Sequence, residues 1–97
     1  MTEMPEELEK GDDVEISYES GRNNNIVEKS GEVKEVDYEN EEVKEFVIVS
    51  DQDSNQLIRV FPIFDYIRAS SYRTDSASAR TTRLGVVEDI EVKNDDR

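Results

Sequence analysis

VKEFVIVSDQDSNQLIRVFP, residues 43–62, is the stretch that decides the fold. Phe46, Val47, Ile48 and Val49 are four consecutive apolar residues, a run that suits a strand covered on both faces. The turn that follows, DQDSNQ at 51–56, gathers Asp, Ser and Asn, whose short side chains hydrogen-bond nearby backbone. Leu57 to Phe61 then returns as the hairpin partner, and Pro62, which has no N–H to give a ladder, ends it.

Upstream, Val14, Ile16 and Tyr18 alternate with Glu15, Ser17 and Glu19, the period-2 pattern of a half-buried strand that follows a Gly11-Asp12-Asp13 turn. SGRNNN at 20–25 is a loop, and a second strand runs from Ile26 to Glu39. Within it Val33 and Val36 break strict alternation, which predicts a bulge at Lys34-Glu35 of the kind that bends a strand in a closing barrel. The chain turns again at Asn40-Glu41-Glu42. Downstream, Leu84 to Lys93 reads as the closing strand, and Ser70 to Thr82 as an exposed loop. SGEVKEVDY at 30–38 and LGVVEDIEV at 84–92 share a spacing, which fits two strands each entered through a glycine turn. The whole predicts an all-β domain, a five- to six-stranded antiparallel barrel over residues 11–93. Residues 1–10 are expected as a flexible acidic tail and 94–97 as a second tail. One alternative stands beside this: if FPIFDYIRAS at 61–70 is helical, with a short helical turn near 62–69, the fold is a ββαβ type instead.

Composition narrows the function. The 97 residues hold 25 Asp and Glu against 12 Lys and Arg, a net charge of −13, with no Cys, His or Trp. There is therefore no thiolate, no imidazole acid or base, no Cys/His zinc site and no disulfide. Serines are plentiful at 70–82, but none has a His or a Ser-x-x-Lys partner to activate it. A non-enzymatic protein without cofactor or metal is expected. Asp51-x-Asp53-x-Asn55 opens like a calcium loop, yet Gln56 stands where the sharp-turn glycine belongs and Pro62 where the bidentate Glu belongs. A hairpin turn held by local hydrogen bonds accounts for the same residues. No apolar run is long enough to span a bilayer and the first residues lack a signal-peptide pattern, so no membrane association and a cytoplasmic location are expected.

Charge is distributed unevenly. Residues 1–58 carry net −13, residues 59–83 net +3, and residues 84–97 net −3. The positive stretch is built from Arg alone: Arg59, Arg68, Arg73, Arg80 and Arg83, with Tyr66 and Tyr72 between them. Guanidinium forks suit phosphate and a tyrosine ring offers a stacking face, so these seven residues are the candidate contact set. The competing reading pairs the arginines with the acidic strands of the same domain and reduces its self-repulsion. Two functions follow as expectations. The first is a non-catalytic interaction module that docks on a protein partner or on itself, through a strand edge or through 59–83. The alternative is an RNA- or DNA-binding barrel that uses the Arg/Tyr set.

GDDVEISY, then SGEVKEV, then FVIVSDQDSNQLIRV resembles the strand order of small barrels of the KOW and Tudor kind, over Gly11 to Val60 with Gly85 to Val92 as a closing strand. The acidic background, with only five Lys, also resembles small haloarchaeal proteins whose surfaces are adapted to salt. The resemblance implies a docking module for proteins or RNA. Tudor-type methyl-lysine readers use an aromatic cage, for which Tyr18, Tyr38, Tyr66, Tyr72 and three Phe are the rings at hand.

Overall fold

A computed structural model describes residues 3–74 and 81–93. Six strands follow one another: β1 (Asp13–Ser20), β2 (Ile26–Glu39), β3 (Glu42–Ser50), β4 (Gln56–Ile63), β5 (Tyr66–Arg73) and β6 (Thr81–Lys93). Each is antiparallel to the next, and β6 returns to pair with β1, closing the barrel. The fold is all-β, and the ββαβ alternative falls because 61–63 and 66–70 pair as strand. Among the described residues no helix is long and apolar enough to cross a membrane.

The interior follows from alternation. Val14, Ile16 and Tyr18 of β1 point inward, as do Phe46 and Ile48 of β3 and Ile58 and Val60 of β4. Their partners on the outer face are different. Val47 and Leu57 are buried too but belong to the outside of the β3–β4 hairpin, so this ribbon is covered on both faces as its apolar run predicts.

Closure depends on two long, bent strands. The first part of β2 pairs with β1 and its second part with β3; likewise β6 pairs first with β5 and then with β1. Gly31 and Gly85 sit where the partner changes. A Cβ on Gly31 would lie 1.9 Å from the Val49 carbonyl oxygen, and one on Gly85 1.9 Å from that of Glu19. Three residues later each strand bulges: Lys34 has no partner on β3, and Glu88 none on β1. The bulge expected at Lys34-Glu35 is there. The shared spacing of 30–38 and 84–92 thus has a physical cause other than the expected one. Both glycines lie within strands, at barrel corners where a neighbouring backbone leaves no room for a side chain.

Three expectations are corrected. The segment near 62–69 contains no helical turn. β4 continues through Pro62, paired with Ile67, and a two-residue turn at Phe64-Asp65 leads into β5. Proline is tolerated because β4 has no β3 partner beyond Val60 and the missing N–H breaks no rung there. Residues 70–73 and 81–82 are strand and not loop, with Ser70 and Ser71 buried. Residues 75–80 lie outside the described residues.

The third concerns residues 3–10, which lie against the barrel. Leu8 is 1% exposed and belongs to the core, with Met4 packed on it. The Leu8 N–H donates to Tyr38 Oη at 3.1 Å, and the Tyr38 hydroxyl donates to the Leu8 carbonyl. Asp12 accepts from the Glu9 N–H at 2.9 Å, and the Val33 N–H donates to the Asp12 carbonyl at 2.8 Å. One leucine among acidic residues is a weak signal in sequence, but it stoppers the barrel end opposite the 51–55 turn.

Candidate functional site

The register sets the Arg/Tyr residues on one flank. Val47, Arg59, Ser70 and Arg83 are successive cross-strand partners, and Phe61, Arg68 and Val86 form the neighbouring row. Side chains of paired residues share a face, so Arg59, Arg68 and Arg83 all emerge on the outside of β4–β5–β6.

Their surroundings differ. Arg59 is bonded to the Glu45 carboxylate of β3, and its guanidinium stacks 4.5 Å above the Phe61 ring. Arg73 pairs with Asp53 in the β3–β4 turn at 2.6 Å. For these two, the reading in which arginines neutralise the domain's own carboxylates holds. Arg68 and Arg83 are exposed and form no ion pair among the described residues. Arg80 lies outside them. Asp53 also accepts from the Asn55 N–H at 3.0 Å, so the 51–56 segment is a turn built on local hydrogen bonds. Among the described residues no three potential metal ligands converge.

A cavity of about 840 Å³ opens at the mouth of the barrel, lined by Arg22, Arg73 and Arg83 together with Tyr18, Tyr72 and Ser71. A second, of about 540 Å³, continues along the flank between Arg83 and Arg68 and is walled by Phe61, Ile63 and Phe64. The two share Gly21, Arg83 and Leu84. Asp and Glu make up 25 of the 97 residues, yet none of the described residues lining either cavity is acidic. Tyr66 stands apart, in a groove with Arg68 that also carries Glu19 and Glu88. Burial raises the Tyr72 phenol above its usual range; the Glu35 carboxylate adds to this and Arg59 opposes it. Burial alone raises Tyr18.

The structure therefore brings Tyr72, Arg73 and Arg83 to one cavity and Arg68 to the next, and leaves Arg59 and Tyr66 at the margins. It adds Arg22, which sits in the acidic half of the sequence and is carried to the mouth by the β1–β2 loop, where the Gly21 N–H donates to the Leu84 carbonyl at 3.3 Å. No sequence signal marks Arg22. The aromatic rings do not gather into a cage: Tyr18 and Tyr72 share the mouth, Tyr38 holds Leu8, and Tyr66 lies in the third groove. Compared with known protein families, curated proteins and solved structures, the chain matches none.

Proposed function

We propose that this protein is a non-catalytic interaction module that engages an anionic partner through the mouth and flank of the barrel. One observation carries the reading: in a chain of net −13, Arg22 and Arg83 line a cavity whose described lining holds no carboxylate, beside Arg73, whose charge Asp53 already balances. Guanidinium forks with no described carboxylate beside them leave donors that a phosphate oxygen can accept from. Docking by strand addition does not suit this barrel, because β1 and β6 pair with each other and no long free edge is presented among the described residues. Carboxylates on β1, β2, β3 and β6, instead of in one tail, support salt adaptation as the setting in which the module works.

Titration of the labelled protein with inorganic polyphosphate tests the reading. Amide shifts are expected at Gly21, Arg22, Thr82 and Arg83. Arg83→Ala loses no ion pair among the described residues, so it should weaken binding while leaving the melting temperature close to that of the wild type. Arg59→Ala, which loses the Glu45 pair, should do the reverse. A spectrum that does not respond to polyphosphate at moderate salt ends the proposal.

A further inference from the structure

β4 pairs with β3 only as far as Val60, and β5 pairs with β6 only from Arg68 onward, so residues 61–67 form a two-stranded finger paired to itself alone. The turn at its tip places Phe64 at φ 55° with 98% of its surface exposed. Two-residue hairpin turns put Gly, Asn or Asp at positions of positive φ, because a bulky side chain is strained there. A phenylalanine held in that conformation, in water, contributes nothing to the core. Backbone strain of this kind collects where a side chain must be presented. Along the flank beside it runs the carboxylate-free cavity that carries Arg68 and Arg83.

We propose that Phe64 is a stacking platform for an unpaired base, and that the anionic partner is single-stranded nucleic acid lying with its phosphates along Arg68, Arg83 and Arg22. This rests on the anion-binding reading above and names its ligand. The finger presents a ring face, the flank presents guanidinium forks, and a single strand offers both complements in alternation. A second copy of the chain fits less well. Stable protein interfaces bury about 800 Å² on each side. A lone aromatic side chain supplies about 150–250 Å², and among the described residues only the large apolar side chains of Ile63 and Tyr66 stand exposed beside it. Three phosphate contacts also imply a modest salt response, with log K falling against log salt at a slope of about −2 for a single strand.

The test compares an eight-nucleotide single strand, as RNA and as DNA, with inorganic polyphosphate of the same charge, using the full chain and Phe64→Gly. Glycine relaxes the turn, so the variant should melt at or above the wild-type temperature and any loss of binding is not a loss of fold. The oligonucleotide is expected to bind at least ten-fold more tightly than polyphosphate. Phe64→Gly should weaken it roughly five-fold or more, which is the lower end of one base–aromatic stack, and leave polyphosphate binding unchanged. Equal oligonucleotide binding by wild type and Phe64→Gly overturns the inference while the anion-binding reading survives. If neither polymer binds, both fall. Concentration-dependent dimerisation that Phe64→Gly abolishes assigns the finger to self-association and also overturns it.

Discussion

Replacing Gly31 by Ala should be among the most damaging single-methyl changes this protein can suffer. The added Cβ would lie 1.9 Å from the Val49 carbonyl oxygen and 2.7 Å from its carbonyl carbon. Non-bonded heavy atoms reach their best separation at about 3.5–4.0 Å, so more than an ångström of movement is needed. The obstacle is backbone, which cannot swing aside as a side chain does. The corner where β2 leaves β1 for β3 must open, and the pairs Val14↔Gly31, Gly31↔Ser50 and Glu32↔Val49 are the ones at risk. Losing two ladder hydrogen bonds at about 1 kcal/mol each, with overpacking of about 1–3 kcal/mol beside Val14 and Val33, gives a loss of about 3–5 kcal/mol. A small domain has about 5–15 kcal/mol in total. Urea unfolding followed by circular dichroism, with Gly21→Ala as the control, measures it. Gly21 has nothing within 4 Å of a built Cβ, so its replacement should be neutral or stabilise by about 0.4–1 kcal/mol. If Gly31→Ala unfolds within about 0.5 kcal/mol of wild type, the range of ordinary surface substitutions, the account of closure through glycine corners is refuted.

Tyr38→Phe removes both hydrogen bonds that fasten Leu8 and should cost about 1–2 kcal/mol, with faster amide exchange at Leu8 as the local readout; unchanged exchange would show that Leu8 is held by packing alone. At alkaline pH, Tyr18 and Tyr72 are kept protonated by burial in the folded state, so the unfolded chain releases these protons first. Stability should hold through neutrality and fall as pH rises past about 10, the ordinary tyrosine range, and Tyr72→Phe should soften that fall in a series of thermal melts. With net charge −13, the melting temperature should climb from low to molar salt as self-repulsion is screened within about 3 Å; a steady decline would remove the salt-adaptation reading.

Much of the fold was legible in residues 43–62 because alternation and turn chemistry are local. Four apolar residues, a turn of Asp, Ser and Asn, and a returning apolar strand leave few arrangements other than a buried hairpin. The bulge at Lys34 was legible for the same reason, as a break in a period of two. The segment 61–70 was not. Its i, i+3 spacing suits a helix, but pairing of Pro62 with Ile67 and Ile63 with Tyr66 makes it a hairpin, and a two-residue turn with Phe at positive φ carries no recognisable turn signal. Leu8 escaped notice because a single apolar residue has no periodicity.

Sequence alone determined that this chain forms antiparallel strands, that it has no Cys or His and so no thiolate, imidazole or Cys/His zinc chemistry, and that its arginines cluster between residues 59 and 83. Only the tertiary structure decided which of those arginines are spent on Glu45 and Asp53 and which stand unpaired among the described residues. It alone brought Arg22 to the mouth and pushed Phe64 out on a finger. The reason is register. Hydrophobic period and turn type are properties of neighbours in the chain, whereas closing β6 onto β1, and turning both long strands at a glycine, fixes which distant residues share a face.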